Sequence, residues 1–253
     1  MENNVALALI LTTLAGLSTT LGSLLGLVVS KPGPRFMSAT LGFSAGVMVM
    51  ISFVELLPGS IESIGFAYAH FGFFIGIMVI FLVDFSLPHQ WAGHYDRPED
   101  KKDSKLLRMG MMVALGIGIH NFPEGMATFA GTLKDTNLGI AIAVAIAIHN
   151  IPEGLAVSTP VYAATKSRGK AFLWSFLSGV AEPVGAGVAA VFLLPFLTPT
   201  LLGWLLAFVA GVMVFIAFDE LVPTSHSYGQ EHTAILGVVL GMAIMSLSLW
   251  MLK

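Results

Sequence analysis

Apolar residues run along this chain in eight blocks, separated by short polar connections. The blocks are Val5–Val29, Phe36–Leu57, Gly65–Leu87, Leu106–Gly131, Asn137–Ala163, Ala171–Pro195, Thr200–Pro223 and His232–Met251. A hydrocarbon core about 30 Å thick needs roughly 20 apolar residues per helix. Each block therefore predicts one membrane-spanning helix, and little chain is left over for a soluble domain. The expectation is an all-α polytopic membrane protein, with residues 1–253 forming a single transmembrane domain.

Composition agrees. The chain is 56% hydrophobic and 11% charged, where soluble domains carry about 25% charged residues. The start, MENNVALALI, has no basic leader and its apolar run is longer than a signal segment. It is expected to be a retained first span. There is no cysteine, which excludes disulfides and thiolate metal sites.

Charge changes the picture through its distribution. Nine of the twelve basic residues fall in the connections after spans 1, 3 and 5 and a tenth, Arg108, at the adjoining end of span 4, while Lys134 and Lys253 lie on the other side. Basic connections stay in the cytoplasm. Both termini are therefore expected on the extracytoplasmic side.

Span 2 contains LGFSAGVMVMISFVELLPGS (Leu41–Ser60) and span 7 contains LAFVAGVMVFIAFDELVPTS (Leu206–Ser225). They agree at thirteen of twenty positions without a gap. Four spans lie between them, so they run in opposite directions. This is an inverted repeat, an architecture common in secondary transporters. It suggests spans 1–3 and 6–8 as related triplets around a central pair, spans 4 and 5.

The polar residues within the apolar blocks carry the chemistry. Span 4 holds HNFPEG (His120–Gly125), span 5 holds HNIPEG (His149–Gly154), and span 6 holds Glu182 in VAEPVGAG. His and Glu four apart share one helix face. The three acids fall near the middle of their spans. An ionised group there costs about 2.5–3.5 kcal/mol on insertion scales. No Lys or Arg lies near the middle of any span to offset it. Protons or a bound cation must do so. Imidazole beside carboxylate favours Zn²⁺ and also suits Fe²⁺, Mn²⁺ and Co²⁺. Mg²⁺ and Ca²⁺ favour all-oxygen sites, and Cu⁺ would want thiolates.

Pro123 and Pro152 sit between each His and Glu. Neither has an N–H, so the Ile119 and Ile148 carbonyls lose their helical partners. A kink is expected there, lining a polar cavity, with Asn121 and Asn150 swung inward.

The paired HN-x-PEG motifs, the VAEPVGAG of span 6 and the ELLP and DELVP endings of spans 2 and 7 resemble the ZIP (Zrt/Irt-like) family of divalent-metal transporters. The likeness covers essentially the whole chain and is nearest to the family's bacterial zinc-uptake branch. It implies eight spans in a 3+2+3 arrangement in the bacterial plasma (inner) membrane. Zn²⁺ would be carried inward as substrate, with Fe²⁺, Mn²⁺, Co²⁺ and Cd²⁺ as further candidates. It also implies a binuclear metal centre. One site would be His120, Glu124, His149 and Glu153; the second would be Asn121, Glu124, Asn150, Glu153 and Glu182. The family's His-rich loop is reduced here to His89 and His94, read as part of a solvated linker. Glu55 matches a position bordering the metal site.

An intramembrane zinc hydrolase is the alternative. It would need an open coordination position, commonly within H-E-x-x-H, and no such motif occurs. A metal-gated receptor lacks any effector domain. The chain is therefore expected not to be an enzyme. Two further expectations follow from the repeat. Glu55 and the Asp219-Glu220 pair should sit near opposite mouths of the pathway as gate residues. Gly72-x-x-x-Gly76 in span 3 and Gly237-x-x-x-Gly241 in span 8 should support a homodimer, although Gly22-x-x-x-Gly26 in span 1 has the same pattern.

Overall fold

The structure, a computed structural model, describes residues 2–28, 33–86, 98–134, 136–193 and 198–252. These residues form eight long helices: α1 (Glu2–Val28), α2 (Pro34–Ile64), α3 (Phe66–Ser86), α4 (Pro98–Lys134), α5 (Thr136–Thr165), α6 (Arg168–Val188, extended by a π-helical turn at Ala189–Leu193), α7 (Pro199–Ser227) and α8 (Glu231–Leu252). Among the described residues, seven are long and apolar enough to cross a membrane. The eighth, α4, carries the spans' longest charged extension. The chain is a multi-pass membrane protein with the expected all-α architecture.

Local sequence sets the helix ends. Gly65 alone separates α2 from α3, at φ 84, where a side chain would be strained. Thr198 caps α7 by accepting from Leu201 N at 3.1 Å. Ser167 caps α6 by accepting from Lys170 N at 3.3 Å. The fourth helix begins at Pro98, eight residues before its expected start. Proline suits a helix's first turn. His89 and His94 lie outside the described residues.

Helices α2 and α7 overrun their expected ends. Both pass through a π-helical turn, Ser52–Leu56 in α2 and Ala217–Leu221 in α7. Leu57 N–H donates to Ser52 O, and Val222 N–H donates to Ala217 O. Each turn comes just before a proline, Pro58 or Pro223. The wider turn accommodates a residue that cannot donate, so the helix bends and continues instead of ending.

The inverted repeat is visible in the packing. A methyl group at Gly76 would overlap the Phe208 carbonyl, and one at Gly241 would overlap the Phe43 carbonyl. Phe43 and Phe208 are equivalent positions of the repeat. Gly46 against Val238 and Gly211 against Phe73 form a second such pair. Thus α8 packs on α2 as α3 packs on α7.

In space the triplets intermix. One group is α1, α4, α5 and α6; the other is α2, α3, α7 and α8. The groups meet where α4 crosses α7 and α5 crosses α2. At the helix ends, Ser38 Oγ donates to Ser225 O at 2.7 Å, and Ser63 Oγ donates to Pro199 O. The glycine motifs of α3 and α8 are consumed by this packing: Gly72 faces Trp204 and Ala207, and Gly237 faces Ala39. Those glycine faces are not free for a second protomer, because close backbone approach within the chain already uses them. The same holds for Gly22, against Ile151.

Candidate metal centre

The polar residues of HNFPEG, HNIPEG and VAEPVGAG come together inside the first helix group. Asn121, His149, Asn150, Glu153 and Glu182 are fully buried, and Glu124 is nearly so. Small residues make this possible. A Cβ on Gly125 would strike the Glu182 carbonyl, and one on Gly185 would strike the Phe122 carbonyl, so α4 and α6 touch backbone to backbone. Gly154 meets the Thr19 carbonyl and Gly22 the Ile151 carbonyl, which joins α5 to α1 in the same way. Gly16 and Gly179 meet each other where α1 crosses α6.

His149 Nε2 lies 3.1 Å from Glu124 Oε1. Asn150 Nδ2 donates to Glu182 Oε1 at 2.8 Å and to Ala15 O at 3.0 Å. Asn121 Nδ2 donates to Ser178 O at 3.1 Å. Glu182 is within electrostatic range of both Glu124 and Glu153. Two linked pairs, His149–Glu124 and Asn150–Glu182, thus bridge α4, α5 and α6. Among the described side chains, no three of His, Asp and Glu close around one point. His120 is in the helix, but its side chain lies outside the described ones.

The asparagines differ from expectation. Both helices run unbroken through Pro123 and Pro152, so no opened turn swings Asn121 and Asn150 inward. The flanking helices α1 and α6 cover these residues instead. Their amide N–H groups hold neighbouring carbonyls, which leaves Asn121 Oδ1 and Asn150 Oδ1 facing no donor among the described residues. Glu182 Oε2 is in the same state. Leaving a buried acceptor unsatisfied costs about 1–3 kcal/mol. Several such oxygens together, beside three acids and, among the described residues, no Lys or Arg, suit a cation.

Glu55, Asp219 and Glu220 are not part of this cluster. They lie in the π-turns of α2 and α7, where Glu55 and Asp219 are exposed and Glu220 is half-buried. Because both helices overrun, these acids sit inside the helices, short of the ends. A cavity of about 680 Å³ opens between α2, α4 and α7, lined by Gly59, Glu62, Ser63, Ala130, Thr198 and Leu206. Glu62 was not singled out from the sequence; a single acid near a helix end carries no distinguishing signal. Nor were Ala15 and Ser178, which act through backbone carbonyls that any residue could supply.

Residues 86–249 match the family described as ZIP Zinc transporter. A protein named zinc transporter ZupT from Chlorobium phaeovibrioides is 52% identical, over 99% of this chain and 99% of its own length. One of the same name from Streptococcus mutans is 46% identical over 98% of each. Another, from Lysinibacillus sphaericus, is 48% identical over the whole of both chains.

Proposed function

Because the chain belongs to the ZIP zinc transporter family, we propose that it carries Zn²⁺ through the membrane by way of the buried centre on α4, α5 and α6. The observation that carries this reading is the gathering of Glu124, Glu153, Glu182 and His149 around Asn121 Oδ1, Asn150 Oδ1 and Glu182 Oε2, which meet no donor among the described residues. In a low-dielectric interior such a set favours a divalent cation. Zn²⁺ suits mixed nitrogen and oxygen ligands; Fe²⁺, Mn²⁺, Co²⁺ and Cd²⁺ are candidate further substrates.

The ligand assignment is part of the proposal. His120, Glu124, His149 and Glu153 hold one ion. Asn121, Asn150 and Glu182, with both shared glutamates, hold a second. An arriving ion draws the two linked pairs together by giving the clustered carboxylates a shared positive partner.

Direction follows from charge. With basic connections in the cytoplasm, the protein sits in the bacterial plasma membrane with both termini outside, and residues 1–253 act as one transporter domain. The cavity beside Glu62 then opens outward. Ala130, in its wall, is six residues beyond Glu124 on α4, about 9 Å along the helix. Glu55 gates that side and Asp219-Glu220 the other, attracting cations by field. A homodimer through spans 3 and 8 has to use their lipid-facing side chains, since their glycines are occupied. The chain is not an enzyme, and the hydrolase alternative has no support.

The test is Zn²⁺ uptake into proteoliposomes. Wild-type protein should load them, and Glu153→Ala should not, although it inserts normally. Undiminished uptake by Glu153→Ala would refute the site.

A further inference from the structure

We propose that Thr19 of α1 is a further ion-facing residue of this centre, supplying a neutral hydroxyl oxygen where the opposite half has the Glu182 carboxylate. The inference rests on the reading of the centre as a cation site. It begins with a symmetry that the sequence hides. Asn121 donates to Ser178 O while Asn150 donates to Ala15 O. Gly125 abuts the Glu182 carbonyl while Gly154 abuts the Thr19 carbonyl. Gly185 abuts Phe122 while Gly22 abuts Ile151, and Gly16 and Gly179 abut each other. One register relates all of these, pairing Ala15 with Ser178, Gly16 with Gly179, Thr19 with Glu182 and Gly22 with Gly185. So α1 clasps HNIPEG as α6 clasps HNFPEG, and Thr19 stands where Glu182 stands.

Side chains follow the same register. A methyl on Gly16 would lie 3.1 Å from Glu182 Cβ; one on Gly179 would lie 3.0 Å from Thr19 Cβ and 3.3 Å from its Oγ1. Both side chains flank the α1–α6 crossing.

The Thr19 hydroxyl departs from the usual helical pattern, as does that of its neighbour Thr20. Threonines in helices ordinarily bond the carbonyl four residues back. Thr12, Thr13, Thr128 and Thr132 do so here, at 2.7–3.0 Å. Thr19 does not. Its acceptor would be Ala15 O, which already receives Asn150 Nδ2 at 3.0 Å and Ser18 Oγ at 2.6 Å. With the helical N–H of Thr19 as well, that carbonyl is already crowded. Thr19 is fully buried, and its Oγ1 has no hydrogen-bond partner among the described residues. An oxygen held in this way is available to an ion or to a water bound to it.

The exchange of acid for hydroxyl sets the charge of the centre. Three carboxylates under-compensate two divalent ions, and a fourth would balance them. The neutral Thr19 therefore weakens the hold on a fully loaded centre and favours release.

The experiment measures equilibrium Zn²⁺ binding to the full-length purified protein and initial Zn²⁺ uptake in proteoliposomes. Thr19→Val keeps the shape and loses the oxygen; it should weaken binding about tenfold, in the range seen for groups that support metal ligands. Thr19→Ser should bind as wild type. Thr19→Glu should bind more tightly and transport more slowly. Unchanged binding in Thr19→Val overturns the proposal. So does equal loss in Thr19→Val and Thr19→Ser, which would mark the methyl as packing, or weaker binding in Thr19→Glu. Glu153→Ala in parallel separates the two readings: if it abolishes binding while Thr19→Val does not, only the role of Thr19 fails.

Discussion

His149 on α5 reaches Glu124 on α4, with Nε2 and Oε1 3.1 Å apart. The pairing crosses between helices, whereas the sequence spacing couples each His with the Glu four residues on in its own helix. The centre is thus tied together by α4–α5 packing, and a change on either helix is felt by ligands of the other.

Glu124→Gln should therefore act on both halves of the centre. It keeps the shape and removes the charge that His149 faces. Lost hydrogen bonds to charged groups cost about 1.5–3 kcal/mol, or roughly 10- to 150-fold in binding. Zn²⁺ binding to the purified protein should fall by that range. Equal binding in Glu124→Gln and wild type would remove Glu124 from the site.

Uptake should decline at acidic pH. Ligands bind metal as neutral imidazole and ionised carboxylate, so protons compete with the ion. Free imidazole titrates near pH 6.5. Initial rates measured from about pH 8 down to about pH 5, with no imposed gradient, should drop. A rate that climbs toward acid would point to proton-driven entry instead.

The acids of the two π-turns should have different kinetic signatures. Glu55→Ala is expected to raise the apparent external KM with little change in maximal rate. Glu220→Ala and Asp219→Ala are expected to lower the maximal rate by slowing release. The same defect in all three variants would dissolve the distinction between the two sides.

Glycine positions should fail in matched pairs. Gly125→Ala and Gly154→Ala each push a methyl into a carbonyl, of Glu182 and of Thr19. Overpacking of this kind costs about 1–3 kcal/mol. Thermal unfolding of the purified variants should show similar losses. Gly187→Ala, which meets nothing nearby, serves as the control. For α3, cysteines on the Gly72–Gly76 face should not crosslink two protomers, since Trp204, Ala207 and Phe208 of the same chain cover it.

Much of the architecture was legible because lipid enforces it. Eight apolar blocks become eight helices, and isolated acids among them are too costly to be incidental. The α2–α7 repeat could be read directly, because both copies keep the same side chains. The α1–α6 repeat could not. Its equivalence lies in backbone contacts at Gly16, Gly22, Gly179 and Gly185, and the one side chain of consequence changed from Glu to Thr. Proline misled at both kinds of position. Pro58 and Pro223 looked like helix ends, yet a π-turn absorbs each. At Pro123 and Pro152 the sequence suggests an opened turn, yet both helices are continuous through them. The glycine pairs of α3 and α8 were correctly read as close-approach points, but sequence cannot say whether the approaching helix belongs to the same chain.

X-ray absorption by the Zn²⁺-loaded protein tests the central claim most directly. The claim is that the ion is held by imidazole and carboxylate on α4, α5 and α6. The expected first shell is nitrogen and oxygen at about 2.0–2.1 Å, with imidazole scattering that weakens in His149→Ala. A shell containing methionine sulfur, or one unchanged by His149→Ala, would contradict the account.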